Sequence, residues 1–141
     1  MPTFVVVNPR LRKISPLTCE TIQEAQDIVG LRGVDHGILM YGLGYCVYEY
    51  GLFVPPSEQH YFGIHGTLIA GPAIFYAFDE RGETLNLRVS EFPNVRFYLG
   101  INDVEHSISI GEVERPFMAV GNARIWEWPQ HPPQGTGYVD K

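Results

Sequence analysis

The chain has 141 residues, which fits one domain with a real hydrophobic core, and its formal net charge is −6. An acidic balance disfavours general nucleic-acid binding, which requires a basic surface, and no apolar run approaches the roughly 20 residues of a membrane-spanning helix. The hydrophobic fraction of 45% against 18% charged residues favours either a β-rich core or a domain with an apolar contact surface.

The chain begins with a predicted strand. The β-branched run in "TFVVVNPR" favours a strand that ends at Asn8-Pro9, because proline cannot extend a hydrogen-bonded ladder. A short connection follows in "RKISPLT", with room for an edge strand before Pro16.

One helix is predicted at about residues 21–29. Thr21 and Glu24 have the spacing of a capping box, and Gly30 is placed to end the helix in a left-handed conformation. Apolar residues recur at helical spacing on one face: Ile22, Ala25, Ile28 and Val29. A helix this short must pack on a sheet to be stable.

The middle of the chain predicts strands separated by glycine turns. Runs 35–42 and 44–54 are joined at Gly42-Leu43-Gly44, and runs 73–78 and 83–89 are joined by a type I turn at 79–82 closed by Gly82. A further turn is predicted near 63–66. These glycines match no phosphate-binding loop, because no GxGxxG or GxxxxGK[ST] precedes a helix.

The last part of the chain predicts further strands and a tail. Residues 90–100 fit no single element, whereas 103–114 alternate, with Val104, His106, Ile108 and Ile110 on one face of a predicted strand. There His106 is expected to be partly buried and hydrogen-bonded. A last strand pair or bent strand crosses Gly121-Asn122. Residues 1–128 are the predicted domain, and 129–141 are a predicted flexible tail because prolines and glycines there bury little.

Histidines and an aspartate are the candidates for chemistry. A His/His/Asp set could bind zinc or iron, and its possible members are Asp35, His36, His60 and His65. The five-residue spacing of His60 and His65 across a turn matches neither a strand face nor a helix face, so turn and surface histidines are the alternative. Cys19 and Cys46 lack metal-ligand spacing and are predicted to be free thiols of a cytosolic protein. No cofactor is predicted.

Tyrosines are the candidates for binding a ligand or partner. Six of them crowd the two hairpins: Tyr41, Tyr45, Tyr48, Tyr50, Tyr61 and Tyr76. Aromatic side chains with polar tips are favoured at interfaces and in ring-stacking pockets. The alternative is that they fill the core and rim of a β-rich fold.

The order of elements resembles that of the domain family DUF3846, which occurs in phage and mobile-element proteins. The resemblance covers about residues 3–88, and the chain departs from it in a long extension from residue 89. The matching residues are Gln26, Val29 and Gly30, then Gly51, Leu52, Pro55 and Pro56, then Gly71, Pro72 and Ala73. It implies an accessory role in the cytoplasm of a bacterial or phage-infected cell, and it carries no catalytic residues.

The predicted fold is α+β, a mixed, mostly antiparallel sheet of five to eight strands with one short helix packed on a face. The favoured function is a non-catalytic binding module that forms a homo-oligomer, most simply a dimer. Its further partner would be a host protein or a small-molecule ligand. Two other functions stay open: a metal-dependent enzyme that uses the His/Asp set, and a structural subunit of a larger assembly.

Overall fold

The computed structural model describes residues 1–31, 33–48, 54, 58–113, 119–120 and 123–124. Within these residues the chain is α+β, and all its strand pairings are antiparallel, which confirms the predicted class. The elements are β1 Thr3–Asn8, β2 Lys13–Thr18, α1 Ile22–Val29, β3 Val34–Met40, β4 Leu43–Tyr48, β5 Tyr61–Ile64, β6 Thr67–Ala70, β7 Ala73–Phe78, β8 Thr84–Leu85, β9 Val95–Phe97, α2 Ile101–Ser109, β10 Ala119–Val120 and β11 Ala123–Arg124.

A large sheet and a small sheet stack face to face. The large sheet has the order β2-β1-β7-β4-β3, with β8 also paired to β7, and the small sheet has the order β6-β5-β9. Alternate residues of each strand point to opposite faces, so one face of each sheet contributes to a shared core. Val5, Phe75, Phe62 and Ile64 are among its fully or nearly fully buried members.

Each helix covers the outer face of one sheet. Ala25 of α1 packs with Phe4, Cys46 and Ile74 of the large sheet, whereas Val104 of α2 belongs to a cluster with strands β5 and β6. The described residues therefore form four layers, in the order helix, large sheet, small sheet, helix.

The capping signals of α1 are confirmed. The Thr21 side chain accepts a hydrogen bond from the Glu24 amide at 3.1 Å, and the Glu24 carboxylate accepts one from the Glu20 amide. Gly30 ends the helix with φ of 87°. Ile28 does not join the buried face as predicted, because its side chain is 58% exposed and the buried Gln26 takes part instead.

Two of the predicted turns are confirmed, near 63–66 and at 79–82. The β3–β4 turn lies at Tyr41-Gly42 rather than at Gly42-Leu43-Gly44, because Leu43 and Gly44 already belong to β4, and β8 covers only Thr84–Leu85 of the predicted strand 83–89. Gly82 has φ of 81°, and the carboxylate of Asp79 accepts hydrogen bonds from the amides of Arg81 and Glu83. The β5–β6 hairpin turns at His65-Gly66, and both residues have positive φ, 49° and 78°. Such a pair of left-handed residues matches the twist of the flanking strands.

The alternating segment after residue 100 forms a helix, so its prediction as a strand is wrong. Positions of period 2 and of period 3.6 overlap at Val104 and Ile108, and the structure buries Val104 with Ser107 on one side of α2. His106 is exposed on this helix rather than partly buried on a strand face. The carboxylate of Asp103 accepts a hydrogen bond from the Leu99 amide at 3.0 Å, which stabilises the first turn.

Three smaller predictions have outcomes in the described residues. The edge strand before Pro16 is β2, and it runs through Pro16 to Thr18. A 3-10 turn at Val89–Glu91 leads into the ambiguous segment 90–100, which then forms β9. The last strand pair is β10–β11. The predicted tail 129–141 lies outside the described residues.

Candidate functional site

The predicted tyrosines lie in different parts of the fold. Tyr41 is 84% exposed at the β3–β4 turn, whereas Tyr48 and Tyr61 are buried. Tyr45 and Tyr76 are half-buried, on opposite faces of the large sheet. Tyr50 lies outside the described residues. The five described tyrosines thus do not share one surface, and Tyr41 is the most exposed of these five.

Two of these tyrosines cover glycines in neighbouring strands. Tyr45 is the direct cross-strand partner of Gly37, and Tyr76 is that of Gly44. A Cβ atom built on either glycine would lie 2.4 Å or 2.5 Å from the nearest tyrosine ring atom. The rings therefore lie flat across the strand backbone, where they shield it from water.

An apolar surface lies at the free edge of the large sheet. Strand β3 is the last strand of its sheet, and among the described residues it pairs only with β4. Ile38 is 62% exposed there, and it lies on the same face as Tyr76, with Gly44 between them. Tyr76 also contacts Phe78, with ring centroids 6.0 Å apart. We call Ile38, Tyr41, Tyr76 and Phe78, together with the outer side of β3, the edge surface.

The predicted His/Asp set is spread over three places. Asp35 and His36 are exposed neighbours on β3, His60 precedes β5, and His65 lies in the β5–β6 turn. The Asp35 carboxylate accepts a hydrogen bond from the His36 amide at 3.0 Å. Among the described residues, no group of three or more His, Cys, Asp and Glu side chains is placed to hold a metal ion.

A polar cluster that the sequence does not reveal joins β3, β4 and α1. The sulfur of Cys46 lies 3.3 Å from Nδ1 of His36, and the Gln26 amide donates to the same sulfur at 3.6 Å. A thiol beside an imidazole has the composition of a nucleophilic pair. Cys46 is fully buried, however, and burial raises the pKa of its thiol, so the protonated form is favoured. The cluster is therefore better suited to attaching α1 to the β3–β4 hairpin than to attacking a substrate.

A cleft of about 220 Å³ opens on the helix-covered side of the small sheet. Its lining includes Gly63, His65, Asn94, Arg96, Tyr98 and Glu112. Gly63 is the direct partner of Arg96 across strands β5 and β9. Because Gly63 has no side chain, the Tyr98 hydroxyl and Val113 pack closely against its Cα.

Charged groups meet at one wall of this cleft. The Arg96 guanidinium bonds to Asp103 at 3.0 Å and to Glu112, and it lies 4.8 Å from the centre of the Tyr98 ring. The hydrogen bond from Arg96 holds the pKa of the Glu112 carboxyl below its ordinary value, and the same bond is the largest cause that raises the pKa of Arg96. Both side chains are more than one third exposed, so water weakens the pair.

Comparison with known proteins gives no relative. No family model matches the chain, and no curated protein and no solved structure matches it. The resemblance to DUF3846 stays a prediction. Among the described residues, none of the helices has the length and apolar character that crossing a membrane requires.

Proposed function

We propose that the protein is a non-catalytic interaction module that forms a two-fold homodimer through its edge surface. The observation that carries this proposal is the character of β3, a seven-residue edge strand that ends in an exposed hairpin tip with Tyr41. The resemblance to DUF3846 supports a cytoplasmic accessory role in a phage or bacterial setting. A host protein would then be a further partner of the dimer.

The two edges of the large sheet differ in how they are protected. Natural proteins block exposed edge strands with proline or lysine, because free backbone groups pair readily with another strand. Strand β2 carries both, Pro16 and Lys13. Strand β3 carries neither, and its only formal charge is that of Asp35. This asymmetry favours β3 as the edge that pairs with another chain.

A second copy is the occupant that fits this edge. In an antiparallel β3–β3 pair the two strands present the same residues to each other, as a two-fold interface requires. With the axis at Gly37, the Asp35 residues of the two copies lie four positions apart, roughly 13 Å at 3.3 Å per residue. That separation exceeds the Debye length of about 8 Å at physiological salt, so their repulsion is largely screened.

Apolar side chains near the β3 edge are expected to add to the stability of the β3–β3 pair. Ile38 and the half-buried rings of Tyr76 and Phe78 lie on one face of the sheet at its free end. Apolar area removed from water contributes roughly 25 cal/mol per Å². With the axis at Gly37, backbone pairing of β3 would bring the two copies of Ile38 to diagonal positions on one face of the joined sheet, where their contact stabilises the dimer. Tyr76 and Phe78 lie two strands further from the axis and extend the apolar face within each copy.

Light scattering with a matched pair of variants tests the proposal. Wild type is expected to have twice the chain mass of 15.9 kDa at tens of micromolar concentration. Ile38→Lys places a charge on the edge and should give a monomer, because a desolvated lysine disfavours strand pairing. Ile110→Lys changes a residue of similar exposure, 60%, at the end of α2, and it should leave the dimer intact.

The outcomes separate the parts of the proposal. A wild-type monomer at this concentration would contradict self-association altogether. A dimer that Ile38→Lys leaves unchanged would place the interface elsewhere and reject the edge surface. Circular dichroism of each variant shows whether the fold is kept, so that loss of the dimer is not confused with unfolding.

A further inference from the structure

The cleft beside Arg96 is separate from the edge surface, because it lies on the small sheet while β3 borders the large one. A ligand site in a protein is typically concave, with a few polar groups that converge on the same space. Here Arg96, Glu112 and the exposed imidazole of His65 border one cleft, and apolar Val113 and the Gly63 backbone line it.

Arg96 is held in place from its inner side. Asp103 bonds one guanidinium nitrogen, and the Asp103 carboxylate is itself fixed by the Leu99 amide at 3.0 Å. The Tyr98 ring lies against the guanidinium, and its hydroxyl is hydrogen-bonded to the buried Ser107 at 3.1 Å. The guanidinium is therefore pre-organised, which lowers the entropy cost of binding a further group.

The outer nitrogen of Arg96, Nη1, bonds to Glu112. This ion pair is more exposed to solvent than the pair with Asp103. The Glu112 side chain is 38% exposed and follows Gly111, which ends the turn after α2 with φ of 76°. Exposed ion pairs contribute little, because water competes for both charges. The carboxylate of Glu112, which also has a hydrogen bond with the Ser107 side chain, is thus a group that another acid can replace on Arg96.

We propose that this cleft binds a small anion, whose carboxylate or phosphate group replaces Glu112 on the outer nitrogen of Arg96. Arginine presents planar donors that match both acid groups, and His65 lies at the rim as a second contact. A water molecule takes about 30 Å³ of liquid volume, so 220 Å³ holds the acid group and a few further atoms. The part of the ligand that the cleft encloses is therefore the acid group with a few neighbouring atoms.

Titration followed by NMR tests the site on the full chain. Inorganic phosphate and acetate are added separately at constant ionic strength, and the amide signals of Gly63 and Gly66 report on the cleft. Saturable shifts are expected with at least one of the two anions, and the stronger one identifies the acid group. Arg96→Gln should weaken binding at least tenfold, and Arg88→Gln, at an exposed arginine that does not line the cleft, should leave it unchanged.

Glu112→Gln gives the most specific result. If the ligand competes with Glu112, removal of this carboxylate should tighten binding about two- to fivefold, in line with the small contribution of an exposed pair. Unchanged or weaker binding by Glu112→Gln would overturn the proposal, because the anion would then not compete with this carboxylate for Arg96. Equal losses in Arg96→Gln and Arg88→Gln, or no saturable shift with either anion, would also overturn it.

Discussion

Gly63 is the position at which the packing of the small sheet can be tested most sharply. In Gly63→Ala the new Cβ would lie 2.8 Å from the Tyr98 hydroxyl oxygen, 3.2 Å from Cε2 of the same ring and 3.3 Å from Cγ1 of Val113. The Tyr98 side chain cannot move freely, because it is buried and its hydroxyl is hydrogen-bonded to the fully buried Ser107. The substitution must therefore displace a buried, hydrogen-bonded ring.

The magnitude follows from three contributions. Overpacking of a buried site costs about 1–3 kcal/mol, and loss of the hydrogen bond between Tyr98 and Ser107 costs about 1–2 kcal/mol. Replacing glycine by alanine in a strand returns roughly 0.5–1 kcal/mol of backbone entropy. We therefore expect Gly63→Ala to lower the free energy of unfolding by about 2–3 kcal/mol, seen as a urea midpoint lower by roughly 1 M at unchanged m-value.

A double-mutant cycle with Tyr98→Phe checks the cause. Tyr98→Phe removes the nearest clashing atom, so Gly63→Ala in that background should cost only about 1 kcal/mol, and the two changes should couple by about 1–2 kcal/mol. Gly44→Ala is the matched control: its clash is with the half-buried Tyr76, whose ring can swing towards solvent, so its cost should be about 1 kcal/mol or less. Strictly additive effects of Gly63→Ala and Tyr98→Phe would refute this explanation of the packing.

Three further outcomes are expected. In urea unfolding, Val104→Ala should lower the free energy of unfolding by roughly 2 kcal/mol, because Val104 is fully buried. His106→Ala should lower it by less than about 0.5 kcal/mol, because His106 is exposed on α2. A large loss for His106→Ala would favour a strand in place of this helix. The stability difference between wild type and Glu112→Gln should be present above the ordinary glutamate pKa of 4.5 and decrease as the pH falls through the lowered folded-state value. A difference that does not decrease at all as the pH falls below 4.5 would contradict the pair with Arg96. The thiol of Cys46 should react with a thiol reagent about 100-fold or more slowly in folded than in unfolded protein, measured by mass spectrometry, and rapid labelling would show that it is accessible.

Local signals in the sequence predict local structure well in this chain. The capping residues Thr21 and Glu24 define α1, and the Asp79–Gly82 turn defines the β7–β8 hairpin, because in both cases the interacting groups lie within four residues of each other. The alternating pattern wrongly predicted a strand where α2 forms, because Val104 and Ile108 fit both the period of 2 of a strand and the period of 3.6 of a helix. Gly100 and Gly111 at its two ends, with Asp103 in its first turn, are the signals that would have identified the helix.

The surfaces depend on contacts that are distant in sequence, so the sequence does not predict them. Arg96 meets Glu112 across 16 positions, and each of these residues alone resembles an ordinary solvated side chain. Whether a strand lies at the edge of a sheet depends on the order of all the strands. Strand β3 has the same composition whether it is internal or exposed, and its place at the edge follows from the order β2-β1-β7-β4-β3 of the described strands.

Three tyrosines of this protein pack against glycines of neighbouring strands. Tyr45 covers Gly37 and Tyr76 covers Gly44, and the hydroxyl of Tyr98 packs against Gly63. Glycine weakens a strand because it has no side chain to pack, and a neighbouring ring that lies across it restores the lost burial. Much of the aromatic content that the sequence presents as a binding surface is therefore committed to the framework. Because Tyr41 covers no strand glycine and is exposed, it is the tyrosine whose replacement should alter association without altering the fold.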